Sequence, residues 1–184
     1  MTREELLKRY TEGKRDFPYT NLSNVDLSNV DLRGADLSNV DLRGADLRRA
    51  DLSGADLSKA NLFCANLWCA NLSGANLSNA NLWCANLSNA NLSDAKYKDV
   101  VIKHVRVFSA LYKYQVWAII AEDGSEWIRM GCFFRKREEW NENFWNNDNE
   151  FPNDNSEDSN MRLAAFNFAC KWIDERKNAM EKTR

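Results

Sequence analysis

The residues able to make or break bonds are few and scattered. His104 is the single histidine of the 184 residues, and it sits in a β-branched run, VVIKHVRVF. A cysteine nucleophile needs a base within hydrogen-bond reach. Cys132, after Gly131, has only His104 as an imidazole candidate, and nothing local holds the two together. Zinc sites are built from clustered Cys and His ligands. The five cysteines, Cys64, Cys69, Cys84, Cys132 and Cys170, lack that spacing, and they read as reduced thiols of a cytoplasmic protein. The acidic stretch from Asp148 to Asp158 offers oxygen ligands for a hard cation but not the spacing or glycine of a calcium loop. It reads as a solvated loop. No glycine-rich phosphate loop is present. The expectation is a protein that is not an enzyme, with no catalytic residue, no metal and no cofactor.

The element that positions everything else is a strict five-residue repeat from about Asp16 to Asp99. Each unit is a small apolar residue, Asp or Asn, Leu, and two mostly polar or small residues. The leucines are Leu22, Leu27, Leu32, Leu37, Leu42, Leu47, Leu52, Leu57, Leu62, Leu67, Leu72, Leu77, Leu82, Leu87 and Leu92, with Phe17 and Tyr97 at the ends. On a helix, residues five apart are rotated by ~140° and form no stripe. On a flat strand five is odd, so each Leu would alternate faces. A common interior appears only if the chain bends once per pentad. About four bends close a coil of twenty residues, and coils stack at the strand spacing of ~4.8 Å. Each buried Leu then contributes about 1.5–3 kcal/mol.

The A(D/N)LXX pattern resembles the pentapeptide-repeat family. The resemblance implies a right-handed quadrilateral β-helix, so the fold class expected is mainly β: a solenoid with an N-terminal helical cap and a small C-terminal α+β domain. Family members include DNA-mimicking proteins that bind bacterial type II topoisomerases and protect gyrase from quinolones. By resemblance, then, partners would be a DNA-handling enzyme such as gyrase, or a host defence protein if the gene is phage-encoded.

Charge argues against a nucleic-acid surface. The net charge is −2. Residues 1–16, 17–99 and 100–184 carry +1, −2 and −1, so no part is a basic nucleic-acid face and none is strongly acidic. No apolar run reaches membrane length, and the N-terminus does not read as a signal peptide. The expected division is a cap over 1–15, the repeat over 16–99 and the C-terminal domain over 100–184.

Residues 2–12 read as a helix, with Thr2 and Glu5 as a capping box and Leu6, Leu7 and Tyr10 on its apolar side. In the repeat, residues twenty apart lie above one another. The column Ser23, Arg43, Phe63, Trp83 and its neighbour Ser28, Arg48, Trp68, Ser88 carry an aromatic cluster above two arginines. The other two columns, through Arg33 and Pro18, are serine-rich. Arg43 below Phe63 and Arg48 below Trp68 are expected to make cation–π contacts. Cys64 and Cys84 share a column, and Cys69 lies on the adjacent face. The residue before Leu is Asp from Asp26 to Asp56 and Asn from Asn61 to Asn91; it either hydrogen-bonds the bends or makes one end acidic for a basic partner.

Beyond Val100 the period is lost. Strands are expected near 101–108, 113–121 and 126–132, with a hairpin at Asp123-Gly124. A short helix over 136–145, an acidic loop over 146–160 and a last helix over 161–179 follow, the last capped by Asp158 or Ser159. Leu163, Phe166, Cys170 and Ile173 lie on one side of it, Phe168 and Trp172 on another. Three functions follow. The first is a rigid interaction module using Phe63, Trp68, Trp83, Arg43 and Arg48, unless the C-terminal segment covers that face. The second is a small-molecule or nucleotide binder with a pocket between the aromatic face and the C-terminal domain, using Trp68, Trp83 and Arg43 or Arg48. The third is a spacer or a homodimer joined through the last helix. An enzyme using Cys132 comes last.

Overall fold

The computed structural model describes residues 1–108, 115–130, 133–142 and 157–182. They fall into two compact units, Met1–Lys103 and His104–Arg184.

The first unit is a solenoid whose coils are twenty residues long. Parallel bridges join Asp16 to Asp36, Asn21 to Asp41 and so on to Asn76 and Lys96, always twenty apart. After each leucine the backbone turns. The N–H of Ala45 donates to the carbonyl of Leu42 at 3.1 Å, and that of Ala60 to Leu57 at 3.0 Å. The third residue of each turn lies in the left-handed region, as at Asn24 (φ 57°), Gly44 (φ 63°) and Cys64 (φ 55°). A positive φ at the third position is the type II signature, for which Gly and Asn are the least strained choices. Asn, Gly, Cys, Lys and Arg all occupy it here, and no β-branched residue does.

The Asp or Asn before each leucine has a defined task. Its Oδ1 accepts the N–H of the residue after the leucine, as in Ser28 to Asp26 at 2.8 Å, Ser58 to Asp56 at 2.8 Å and Trp83 to Asn81 at 3.1 Å. Either residue type can do this. From Asn71 on, Asn does more: its Nδ2 donates to the residue twenty positions earlier, Asn71 to Asp51 at 3.1 Å, Asn76 to Asp56 at 3.1 Å and Asn81 to Asn61 at 3.1 Å. The switch from Asp to Asn therefore replaces stacked carboxylates by an amide ladder.

Every repeat leucine from Leu22 to Leu92 is buried at 0–1% exposure. The small residues beside them, from Val30 to Ala85, are buried as well, whereas Val25 and Ala90 are half-buried. Helix α1 (Arg3–Thr11) begins with the Thr2–Glu5 capping box. Leu6 is its buried residue, while Leu7 and Tyr10 are half-buried. Its polar groups satisfy carbonyls of the first coil. The Met1 ammonium donates to Asn21, the Arg3 guanidinium to Asp26 and Ser28, and the Tyr10 hydroxyl to Arg33, at 2.7–3.1 Å. These carbonyls stand where an earlier coil would have donated N–H groups. At the other end, β1 (Lys96–Tyr97) pairs antiparallel with the start of β2 (Val100–Phe108).

In the second unit β3 (Val116–Ala121), β4 (Glu126–Met130) and β5 (Phe133–Lys136) form an antiparallel meander. The β3–β4 hairpin turns at Gly124 (φ 82°), whose N–H donates to Ala121. Helices α2 (Arg137–Glu142) and α3 (Glu157–Glu181) follow. Val116, Ala118, Ile120, Ile128, Trp140, Phe166, Ala169 and Ile173 belong to one buried cluster. Arg137 binds Glu126 and Asp174, and Lys177 binds Glu126, tying sheet to helix. Burial opposes the Glu126 charge, but the two cations outweigh it and its pKa is lowered.

Several expectations for this unit are corrected. β4 ends at Met130, and β5 was not foreseen. The helix expected from 136 starts at Arg137, because Lys136 pairs with Trp127; residues 143–145 lie outside the described residues. So does 146–156 of the expected acidic loop, but 157–160 belongs to α3. Asp158 and Ser159 therefore lie inside the helix and do not cap it. Leu163 faces outward, and Arg162 takes a buried place beside Ala165 and Phe166. The strand expected from 113 is described only from Val116.

The amide ladder makes Asn71→Asp informative. It places a carboxylate over Asp51 and removes a donor, which should cost about 1–3 kcal/mol at neutral pH. The loss should shrink below pH 4 as the carboxylates protonate. Urea unfolding at both pH values reads this out.

Candidate interaction face of the solenoid

The coil geometry decides which side chains meet. Asn24 donates its N–H to the Arg43 carbonyl, Gly44 to Phe63 and Cys64 to Trp83, so Ser23, Arg43, Phe63 and Trp83 form one column. By the same bonds, Ser28, Arg48, Trp68 and Ser88 form the next. Phe63 and Trp83 meet edge to face, with centroids 6.2 Å apart and planes at 89°. They remain 43% and 39% exposed. Trp68, around the corner, is half-buried.

The cation–π expectation is corrected. Arg43 does not lie against Phe63, nor Arg48 against Trp68. Each folds back on the aspartate two residues earlier: Arg43 to Asp41 at 2.6 Å and Arg48 to Asp46 at 2.5 Å. The cation over Trp68 is Arg49, with its guanidinium 5.0 Å from the ring centroid. An aspartate on the same wall as the arginine is a nearer and stronger partner than a ring one coil away. Arg49 is at a left-handed corner (φ 57°). The sequence signal was present in the Arg48-Arg49 pair, but only the corner conformation tells which of the two reaches Trp68.

These ion pairs shape the acidic half. Arg33 pairs with Asp31 at 2.6 Å, and its hydrogen bonds hold the Asp31 carboxyl down to about 2. Hydrogen bonds from Arg43 and Arg48 lower Asp41 and Asp46 in the same way. These three carboxylates are thus neutralised within their own coils.

A groove of about 360 Å³ runs along the first column, lined by Ser23, Asn24, Arg43, Gly44, Phe63 and Cys64. A Cβ at Gly44 would come within 2.5 Å of the Asn24 side-chain oxygen, which would have to turn aside. The other candidates are not assembled into chemistry. Nδ1 of His104 lies 3.4 Å from the Arg176 guanidinium, and Cys132 lies outside the described residues. Cys170 is half-buried, and burial pushes its thiol pKa up. Among the described residues no three or more His, Cys, Asp or Glu side chains are grouped to hold a metal ion. No described helix is long and apolar enough to cross a membrane.

With this geometry in hand, comparison with known proteins is direct. The model of the family described as pentapeptide repeats matches residues 16–44, 41–79 and 70–96. Among solved structures, alr5209, a pentapeptide repeat protein from Nostoc, is 48% identical over 52% of this chain and 79% of its own, with a TM-score of 0.52. The chain belongs to the pentapeptide repeat family. HetL, a pentapeptide repeat protein involved in heterocyst differentiation regulation in Nostoc, is 42% identical over 52% of this chain and 51% of its own, with a TM-score of 0.26. QnrB1, a plasmid-mediated fluoroquinolone resistance protein, is 23% identical over 46% of this chain and 48% of its own, with a TM-score of 0.24. A search of curated proteins returns no match.

The depressed carboxylates set a pH dependence. An unfolded aspartate titrates near about 3.9, above the folded values of Asp31, Asp41 and Asp46. Their stabilisation is present above that pH and is lost as pH falls toward about 2. Solvent screening keeps the contribution of each exposed pair small. The urea midpoint of the wild type should fall across this window. It should fall less in a variant carrying Arg33→Gln, Arg43→Gln and Arg48→Gln.

Proposed function

We propose that this chain is a non-enzymatic protein-interaction module. Its repeat, 16–99, is a right-handed four-walled solenoid that α1, within 1–15, caps, and 100–184 forms a C-terminal α+β domain. The observation that supports this most is the Phe63–Trp83 pair, which stays solvent-exposed on a wall held by backbone bonds at every coil. Rigid aromatic anchors lose little conformational entropy on binding, which is why they dominate interface energetics. The face joins these rings to the Arg43 groove and to Trp68 with Arg49. That chemistry fits a protein surface offering apolar side chains with polar groups at the rim.

The internal pairing of Asp31, Asp41 and Asp46 disfavours imitation of DNA as the mode of binding, because a DNA mimic must present unpaired anions to its partner. A DNA-handling enzyme such as gyrase remains a partner to assay, through the aromatic face. The test is affinity purification from the source cell with wild type and with Phe63→Ser/Trp83→Ser. The partner should be retained by wild type and lost by the variant at unchanged circular dichroism. An identical partner list for both would refute this face.

Exposed apolar residues on α3 favour a second reading, self-association through that helix. Met161, Leu163 and Phe168 are 38%, 43% and 55% exposed. Light scattering should then give a dimer, reduced to a monomer by Leu163→Glu/Phe168→Glu. A monomeric wild type would end this reading.

A further inference from the structure

Beyond any protein partner, the solenoid brings two thiols together. We infer that Cys64 and Cys84 form a cross-coil dithiol site for a two-coordinate soft cation of the Cu(I) class. The two residues are twenty apart and occupy the same corner of successive coils. Both are in the left-handed conformation, with φ 55° and 62°, so their side chains leave the backbone in the same direction. The Cys64 N–H donates to the Trp83 carbonyl at 2.9 Å, which fixes the register beside them. Both thiols are exposed and unbridged.

Spacing selects the ligand. Stacked coils repeat at about 4.8 Å. Two metal–thiolate bonds of about 2.3 Å in line span about 4.6 Å, so one cation fits between the sulfurs without moving the backbone. A disulfide needs the two Cβ atoms about 3.8 Å apart. The range for Cβ atoms extends to about 4.5 Å, so forming it would draw the corners together by about 0.3–1 Å against the backbone bonds of both coils, whereas the cation needs no such movement. Thiolate donors select soft cations such as Cu(I). Cys69, the remaining cysteine of the repeat, donates its N–H to Ser88 and sits above Arg49. It therefore has no stacked thiol, and the site has two sulfur ligands.

Phe63 and Trp83 immediately precede the two cysteines and meet edge to face on the same column. Binding exchanges one Cu(I) for two thiol protons and moves no electron, leaving a dithiolate complex of net charge −1.

The test uses the full chain with Cys69, Cys132 and Cys170 replaced by serine, titrated anaerobically with Cu(I) against the chelator bicinchoninate. This chain should withhold one equivalent. Cys64→Asn and Cys84→Asn, added singly, place at the corner a residue the repeat already uses at Asn24 and Asn79, so the fold is kept. Each should weaken Cu(I) retention by about 100-fold or more, because a lone thiolate loses the chelate. Unchanged retention in either variant, or none in the starting chain, would overturn the proposal. So would quantitative Cys64–Cys84 disulfide formation by glutathione disulfide with a raised unfolding temperature, since that would show the corners close readily.

Discussion

The backbone reverses direction after each leucine, and the rest of the solenoid depends on that turn. It requires a positive φ at its third residue, and it leaves the second residue's N–H without a backbone partner inside the turn. The Asp or Asn before the leucine supplies the acceptor, and Gly, Asn or another unbranched residue supplies the φ. With those two requirements met every five residues, the leucines converge and the corners stack. Burial is the consequence of this geometry, and it returns the stabilisation that the left-handed corners cost.

A second consequence is that neighbours in space are neighbours at a separation of twenty. This rule sets Phe63 against Trp83, Cys64 against Cys84 and Asn71 against Asp51. It also explains the change from Asp to Asn along the axis. Stacked carboxylates repel; Arg33 neutralises Asp31 in its stack with Asp51, Arg48 neutralises Asp46 in its stack with Asp26, and in the Asp36–Asp56 stack Asp56 accepts from Asn76. The upper coils use amide ladders instead and need no arginine. Local chemistry thus accounts for a pattern that could have been read as an acidic docking end.

The repeat was legible because one period is satisfied at every unit, so columns, core and aromatic pair follow from counting. The rotamers of long side chains did not follow. Arg43 and Arg48 had a competing aspartate two residues away, and counting by twenty is blind to that local partner. Gly34, Gly44, Gly54 and Gly74 mark the left-handed corner, but at Cys64, Arg49 and Lys59 the residue type gives no sign of it. In the second unit no period helps. β5 is separated from β4 by residues 131–132 alone, so the two strands read as one run into a helix. On α3 the buried face includes Arg162 and two alanines while Leu163 is exposed, so hydrophobicity alone points to the wrong stripe.

The most direct test of the coil is a methyl–methyl nuclear Overhauser spectrum of selectively labelled leucines. Leu52 should show contacts to Leu32 and Leu72, the residues one coil below and one coil above it. Contacts of Leu52 confined to residues three or four away in the chain, with none at twenty, would contradict the account.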